Sequence, residues 1–399
     1  MARKKKKKSI FVPILLLILV VALAGAIFVL PGLGGGAEDD VAGQDASPVV
    51  DPVTARATEI LADMTLHEKV CQLFIVTPEE LTGVGHVYAA GESTKACIQE
   101  YPVGGVIYFA QNLQNREQTV EMISNTQAYS VEATGIPMFI SVDEEGGIVA
   151  RCADKLGTTK FEPMYSYKDQ GASVASGNAK TIATDIKELG FNLDFAPVAD
   201  TWSNPSNRVI GTRAYSDNYA QAAELVAAAV DGFNEAGVAC TLKHFPGHGD
   251  TAEDSHKTAA YSYRTLEQLR EGEFMPFKAG IDAGADMIMT GHVIVPEIDS
   301  LPATLSAKMI DILRGELGFD GVIITDSMAM NAIVSYYNVA EAHLMALQAG
   351  NDILLCGNDL HGSVARIEEA VQTGQLAESR IDESVMRILK LKIEKGILE

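Results

Sequence analysis

Residues 219–245 read YAQAAELVAAAVDGFNEAGVACTLKHF and contain one complete helix-to-strand unit. Apolar side chains recur at helical spacing through the first part of this stretch. Gly237 follows the last helical position, where glycine often ends a helix in the left-handed conformation. The next residues, 239–245, form a short apolar run that is typical of a strand. The stretch therefore predicts a helix that leads directly into a strand.

The same alternation recurs along most of the chain. Helical spacing covers residues 57–74, with Thr65 as a helix cap, and residues 266–284. Because strands that alternate with helices pair in parallel, eight units over about 300 residues favour a single (β/α)₈ barrel over an open doubly wound sheet. The eight apolar runs are 72–77, 104–109, 137–143, 192–198, 239–245, 286–292, 321–327 and 352–357. No P-loop occurs and no G-x-G-x-x-G follows the first run, so nucleotide binding lacks its main support.

The N-terminus predicts a membrane anchor. Residues 1–9 form a basic tail, and residues 10–30 carry no charge over a length that spans a bilayer core of ~30 Å. The basic tail should stay in the cytoplasm and place the body outside the membrane. A cleaved signal sequence, which would leave the body secreted, is the alternative. Residues 31–53 have a tether-like composition, and the globular catalytic domain is expected at 54–399.

Composition narrows the function further. The 399 residues contain 31 Lys and Arg against 53 Asp and Glu, for a formal net charge of −22. So acidic a chain repels phosphates, which argues against nucleic-acid binding. The five cysteines are odd in number, so at least one is unpaired within the chain. Cys97 and Cys152 stand in polar stretches, and the sequence leaves a disulfide between them open.

Polar residues stand at the carboxyl ends of several apolar runs. In a barrel these ends converge on the catalytic face. Any single polar residue there has an ordinary explanation, because it can cap the next helix or mark the exit of the strand to solvent. Four such ends together favour a site. The residues are Asp143, Lys243, His244, His292 and Asp326.

Residues 243–258, KHFPGHGDTAEDSHKT, bring three histidines and three carboxylates into one short segment. A metal site is one interpretation, with His244, His248 and His256 and either Asp250 or Asp254 as ligands, but the spacing H-x₃-H-x₇-H matches no standard ligand pattern, and glycines flank the second histidine. Acid catalysis is the favoured reading. Asp254 beside His256 orients the ring and stabilises its cation, and Asp326 would act from the opposite side. A nucleophilic carboxylate and a proton donor are the two catalytic groups that cleave a glycosidic bond with retention.

Five motifs resemble glycoside hydrolase family 3, and within it the bacterial β-N-acetylglucosaminidases (β-hexosaminidases). They occur in the family's order and span residues 64 to about 355. The motifs are MTLHEKVCQL (64–73), DEEGGIVAR (143–151), VIGTRAY (209–215), KHFPGHGDTAEDSH (243–256) and GVIITDSMAM (321–330). The resemblance implies a (β/α)₈ barrel that acts on carbohydrate, with neither metal nor cofactor.

The resemblance also implies roles for individual residues. Asp326 matches the nucleophile that forms the covalent glycosyl-enzyme, His256 the general acid/base, and Asp254 its partner. The positions that match sugar-binding residues are Asp143, Arg151, Arg213, Lys243 and His244. The implied activity is removal of terminal N-acetylglucosamine from peptidoglycan fragments or related glycosides.

Three alternatives stay open at this point. A His–Asp acid/base lets phosphate approach the glycosyl-enzyme, which would make a phosphorylase of the same fold. A β-glucosidase specificity is the second alternative, and a non-catalytic, membrane-tethered sugar-binding protein is the third. The chain departs from the family pattern at Ile148, where many members have Arg, and at Ser327, where an acidic residue or Trp is frequent. Both departures bear on what binds beyond the first sugar.

Overall fold

The computed structural model describes residues 51–255 and 258–399. The basic tail, the apolar segment 10–30 and nearly all of the tether lie outside the described residues, so the anchor stays a prediction. The first helix begins at Pro52, inside the last residues assigned to the tether. None of the helices in the described part is long and apolar enough to cross a membrane.

Eight parallel strands form the centre of the described chain, and each lies within one of the eight predicted apolar runs. Each strand pairs with the next one along the chain, and β1 also pairs with β8. A parallel bridge between Ile324 and Ile353 joins β7 to β8, which brings the sheet to near closure as a barrel of TIM type. The strands are β1 Phe74–Val76, β2 Gly105–Ile107, β3 Phe139–Val142, β4 Leu193–Asp194, β5 Ala239–Phe245, β6 Met287–Thr290, β7 Val322–Thr325 and β8 Leu354–Leu355.

Helices cover the outside of the barrel. The α-helices are Pro52–Asp63, Leu66–Gln72, Pro78–Thr82, Glu92–Glu100, Arg116–Thr134, Arg151–Leu156, Ala172–Lys187, Tyr219–Ala236, Leu266–Glu271, Phe274–Asp282, Ala307–Asp311, Asn331–Val334, Val339–Ala349, Leu360–Gln372 and Glu378–Glu394. Short 3₁₀ turns cover Met164–Gln170, Gly211–Arg213 and Ala303–Leu305, and a π-turn covers Ile312–Glu316. Two small strand pairs stand apart from the barrel, Glu144–Gly146 with Val149–Ala150, and Ala260–Tyr261 with Val293–Ile294.

Helix boundaries follow local chemistry. Thr65 caps the second helix through a capping box, in which its hydroxyl accepts from the Glu68 amide and the Glu68 carboxylate accepts from the Thr65 amide. The stretch 266–284, which has one continuous helical period, breaks into two helices at Gly272. A Cβ at Gly272 would approach the Tyr219 ring to 3.0 Å, so the close packing there favours glycine.

The cysteines are all free thiols. Cys97 lies on the helix Glu92–Glu100, and Cys152 is buried on the helix Arg151–Leu156. The disulfide that the sequence left open between them is therefore absent. Polar neighbours in sequence were a poor guide, because Cys152 faces the core from a short helix that has polar residues on its outer side.

A lysine is fully buried near the amino ends of the barrel strands. Lys392, on the last helix, donates to Gln72 Oε1 at 2.8 Å just before β1. Its ammonium also lies 5.1 Å from the ring centre of Phe139 at the start of β3. Burial lowers the pKa of Lys392 to about 7. Stabilisation of its charge therefore falls short of what water provides.

We predict that Lys392→Met stabilises the protein at neutral and lower pH. In the wild type the unfolded lysine binds a proton below its ordinary pKa of 10.5, whereas the folded lysine does so only below about 7. Wild-type stability should therefore fall as pH falls between these values and then level off. The variant should gain on the order of 1–3 kcal/mol at pH 7. Thermal unfolding from pH 7 to 10 measures the gain, which should shrink towards pH 10.

Lys155→Met is the matched control, because Lys155 is exposed. This control should leave the stability nearly unchanged at every pH. A Lys392→Met variant that is less stable at pH 7, or whose gain is the same at pH 10, would contradict the account of the buried amine.

Candidate active site

A cavity of about 680 Å³ opens at the carboxyl ends of the barrel strands. Seven of the eight residues to which the sequence gave a catalytic or sugar-binding role line this one cavity. They are Asp143, Arg151, Arg213, Lys243, His244, Asp254 and Asp326. The eighth, His256, lies outside the described residues. The structure thus brings the described candidates together, and their individual roles stay predictions.

A network of opposite charges forms the floor of the cavity. Lys243, the fifth residue of β5, places its ammonium 2.8 Å from Asp143 Oδ1 and 2.6 Å from Glu145 Oε1. Arg213 donates two parallel hydrogen bonds of 2.8 Å to the same Glu145 carboxylate, from Nε and from Nη2. A bidentate bond of this kind fixes both groups in one plane. Two cations and two carboxylates therefore hold one another in place beneath any bound ligand.

Burial makes this balance of charge necessary. The side chains of Lys243 and Glu145 are each only 3% exposed. Burial by itself opposes the ionisation of Glu145, but the positive charges of Arg213 and Lys243 outweigh it and hold the pKa of Glu145 far below its usual range. Burial likewise opposes the charge on Lys243, but Asp143 and Glu145 raise its pKa. Glu145, Lys243 and Arg213 are therefore all ionised at neutral pH.

A single buried carboxylate positions two histidines. Asp200 Oδ2 accepts from the ring Nδ1 of His244 at 2.7 Å and from its main-chain amide at 3.2 Å. Asp200 Oδ1 accepts from the main-chain amide of His248 at 2.6 Å. Because Nδ1 of His244 is committed to Asp200, Nε2 is the ring nitrogen that remains for a ligand. Burial opposes the charge on Asp200, but the two histidines lower its pKa.

The loop that follows β5 is held by close backbone packing. Gly247 has φ of 124°, a conformation that favours glycine. Gly249 lies against the main chain at Thr201, where a Cβ would come within 1.7 Å of the carbonyl oxygen. Asn207 Nδ2 donates to the carbonyl oxygens of His248 at 2.7 Å and Thr251 at 3.0 Å. These contacts define the path of the chain up to Thr251.

An ion pair joins the loop to the segment that follows it in the chain. Arg264 Nη2 donates to Asp250 Oδ1 at 2.9 Å. The main-chain amide of Thr258 donates to the carbonyl oxygen of Asp254 at 3.0 Å. Asp254 itself is half-buried and lines the cavity.

Asp326 enters the cavity from the end of β7. Its amide donates to the Thr290 carbonyl at 2.9 Å, which continues the pairing of β7 with β6. One carboxylate oxygen accepts from the following amide, that of Ser327, at 2.7 Å. His292 was grouped with the site by sequence, but it is fully buried and makes contacts of 2.9 Å with Thr304 Oγ1 and the Ser327 carbonyl. Its contacts support the backbone beside Asp326.

Arg151 and the two departures from the family pattern lie around the same cavity. Arg151 Nε is buried and has no hydrogen-bond partner among the described residues. A buried donor without a partner is costly, so a ligand acceptor would relieve it. Ser327 and Ile148 also line the cavity, and Ile148 is 64% exposed.

Sequence reasoning missed two residues of this site, Glu145 and Asp200. Glu145 stands two positions after Asp143 in a motif that was already recognised, so its position was a usable signal. Asp200 stands two residues beyond the end of the fourth apolar run, in a segment that carries no periodic pattern. Only the fold reveals that it faces β5. No group of three His, Cys, Asp or Glu side chains within the described residues is arranged to hold a metal ion.

Comparisons with known proteins agree with these features. The family model described as "Glycosyl hydrolase family 3 N terminal domain" matches residues 65–391. The chain is 34% identical to "Beta-hexosaminidase A" of Pseudoalteromonas piscicida over 74% of its own length and 54% of the relative's. It is 38% identical to "Beta-hexosaminidase" of Xanthomonas oryzae pv. oryzae over 70% of its own length and 83% of the relative's.

Solved structures show the same likeness. A family 3 β-N-acetylglucosaminidase from a Paenibacillus species superposes with a TM-score of 0.79 at 38% identity, over 84% of this chain and 63% of that one. A β-N-acetylhexosaminidase from Beutenbergia cavernae gives 0.75 at 28% identity, over 84% and 99%. These matches confirm the resemblance drawn from the motifs.

We predict that Glu145→Gln destabilises the protein by about 3–5 kcal/mol at pH 7, because it leaves Lys243 and Arg213 buried with too little negative charge. The folded pKa of Glu145 is lowered, so its stabilisation is present above its ordinary pKa of 4.5 and is lost as pH falls towards the folded value. Urea unfolding at pH 7, 5 and 3 should show the difference from wild type shrinking at pH 3.

Glu162→Gln serves as the control, because Glu162 is exposed. It should change the free energy of unfolding by less than about 0.5 kcal/mol. An equally small change for Glu145→Gln would mean that the charge network is not what holds the cavity floor.

Proposed function

The chain belongs to glycoside hydrolase family 3, and we propose that it is a retaining exo-β-N-acetylglucosaminidase. Its substrate is a glycan with a terminal β-linked N-acetylglucosamine, such as a peptidoglycan fragment. Asp326 is the proposed nucleophile, His256 the general acid/base and Asp254 the partner of His256. Asp143, Arg151, Arg213, Lys243 and His244 bind the sugar.

One observation carries this proposal. Asp326 at the end of β7 and Asp254 on the loop after β5 line the same cavity, above the charge network of Lys243, Asp143, Glu145 and Arg213. The proposed nucleophile and the loop that carries the proposed acid/base therefore border the same cavity, which has a polar floor. A pure binding protein needs the floor but gains nothing from the two acidic groups above it, which argues against the non-catalytic alternative.

The reaction proceeds in two displacements at the anomeric carbon. In the first, an oxygen of Asp326 forms a bond to that carbon while the bond to the aglycone oxygen breaks. The His256 imidazolium gives its proton to the departing oxygen. In the second, neutral His256 takes a proton from water, the water oxygen bonds to the anomeric carbon, and the Asp326 carboxylate leaves. Two inversions give net retention.

The floor residues suit the hydroxyl groups of a sugar. Asp143 Oδ1 accepts from Lys243, and we assign its second oxygen to a sugar hydroxyl. Lys243 and the Nε2 of His244 offer polar contacts on the same side. Because their partners Glu145 and Asp200 are buried and ionised, these groups are already oriented before the sugar arrives, which reduces the entropy lost on binding.

The first test measures release from 4-nitrophenyl β-N-acetylglucosaminide by the full-length protein. Wild type should be active, and Asp326→Asn should lose at least about 10³-fold in kcat because the covalent step is removed. Proton NMR during the first minutes should show the β-anomer of the product, as retention requires. Asp320→Asn is the control, since Asp320 is exposed just before β7 and far from the cavity.

Three outcomes would contradict the proposal. The first is no release above the Asp326→Asn background, and the second is initial formation of the α-anomer. The third is sugar 1-phosphate as the main product when inorganic phosphate is present, which would make the enzyme a phosphorylase. Faster release from the matched β-glucoside would instead favour β-glucosidase specificity.

The second test concerns His256. A positioned acid typically contributes about 10²–10⁴-fold, and mainly for poor leaving groups. His256→Ala should therefore cripple cleavage of a natural disaccharide of N-acetylglucosamine but harm kcat/KM for a dinitrophenyl glycoside much less. The glycosyl-enzyme should accumulate, and azide should partly restore turnover because it attacks without losing a proton.

Asp254→Asn should give a milder version of this pattern, because the ring remains while its partner is lost. His361→Ala is the control, since His361 is exposed on the helix Leu360–Gln372. Equal slowing of natural and activated substrates by His256→Ala, with no trapped intermediate, would show that the residue is not the acid/base.

A further inference from the structure

A second histidine of the loop after β5, His248, has contacts that the proposed roles do not explain. It is 1% exposed and sits at the base of the loop. Its ring Nδ1 lies 2.7 Å from Thr251 Oγ1, and its ring Nε2 lies 2.8 Å from Ser255 Oγ. Ser255 is also buried, and it stands between Asp254 and His256 in the chain. The buried ring of His248 thus connects the start of the loop, at Thr251, to Ser255, which follows Asp254 in the chain.

The hydrogen bonds determine which ring nitrogen carries the proton. Thr251 Oγ1 donates its hydrogen to the His248 carbonyl oxygen at 2.9 Å. It must therefore accept from His248, so Nδ1 carries the proton. Burial lowers the pKa of His248, which keeps the ring neutral. In the neutral ring Nε2 is an acceptor, and the Ser255 hydroxyl is the donor to it.

The ring is itself fixed from below. The main-chain amide of His248 donates to Asp200 Oδ1, and the other oxygen of Asp200 accepts from His244. A continuous set of hydrogen bonds therefore runs from His244, which lines the cavity, through Asp200 and His248 to Ser255. The proposed sugar-binding and acid/base regions rest on the same buried carboxylate.

We propose that the hydrogen bond from Ser255 to His248 is a latch that holds the loop in the arrangement needed for proton transfer, with His248 and Ser255 as positioning residues. This inference rests on the proposed function. Proton transfer requires the donor to be within hydrogen-bond reach of the leaving oxygen, and a displacement of about 1 Å can cost about 10²-fold. Ala252 and Asp254 of the loop line the cavity, and Ser255 beside Asp254 is buried.

The latch makes a specific kinetic prediction. Ser255→Ala removes the hydroxyl donor, so kcat/KM for a disaccharide of N-acetylglucosamine should fall about 10- to 100-fold. For a dinitrophenyl glycoside, whose departure needs no proton, kcat/KM should fall less than about 3-fold. Ser255→Thr keeps the hydroxyl and should restore most of the loss. A residue that only stabilises the fold would affect both substrates alike.

Two further variants isolate the contact. His248→Asn retains an amide near the position of Nδ1, for Thr251, but cannot reach Ser255. It should reproduce the substrate pattern of Ser255→Ala, and the double variant should be no worse than either single one, because both remove one shared interaction. Thr258→Ala is the matched control, since it deletes an exposed hydroxyl from the same loop. It should behave as wild type.

Hydrogen exchange tests the latch without reference to activity. Amides between residues 249 and 258 should exchange at least about fivefold faster in Ser255→Ala than in wild type or Thr258→Ala, because the loop opens more often. If wild type cleaves no N-acetylglucosaminide, the proposed function fails, and faster exchange would still support the latch. If Ser255→Ala matches wild type in exchange and on both substrates, or slows both substrates equally, the latch is overturned.

Discussion

The ammonium of Lys243 is the charge around which the catalytic face is arranged. A side chain that is 3% exposed at the end of a central strand keeps its charge only where anions surround it. Asp143, just after β3, and Glu145, in the following hairpin, supply these anions, and Arg213 neutralises the charge of Glu145. Segments that are far apart in sequence are thereby tied to one point. The polarity of the cavity floor follows from the need to neutralise this buried cation.

A second buried charge organises the loop above the floor. Asp200 receives hydrogen bonds from the main chain of both His244 and His248, so it fixes the backbone at the start of the loop as well as one ring. Glycines at 247 and 249 permit the tight path, and Asn207 binds the carbonyl oxygens that the turn leaves unpaired. These contacts hold the loop firmly where it leaves β5. Further along the loop, Arg264 pairs with Asp250, and His248 contacts Ser255.

The sequence predicts the barrel well because its signals are local. Eight apolar runs separated by helical periods suffice to place eight strands, and the strand ends suffice to collect the polar candidates on one face. Partnerships are harder to predict because they depend on which strands are neighbours. Asp200 faces His244 only after β4 and β5 are paired, and Lys392 meets Gln72 only after the last helix packs across the barrel. His292 also shows that a strand-end position does not reveal the partner, since its ring contacts the Ser327 carbonyl beside Asp326.

The physical setting of the loop also explains why an imidazole suits the proposed acid better than a carboxylic acid. A carboxylic acid has to be kept protonated near neutral pH, and deep burial is the usual means of raising its pKa so far. Along the loop Ala252 is exposed and Asp254 is half-exposed at the cavity wall, whereas Ser255 is buried. An imidazole has an ordinary pKa of about 6.5, so it exchanges protons near neutrality without burial. The cavity already contains Asp143, Glu145 and Asp326, and a further carboxylate would add repulsion where the proposed nucleophile, Asp326, has to stay ionised. In the proposed mechanism, a histidine beside Asp254 would provide the proton with less of that repulsion.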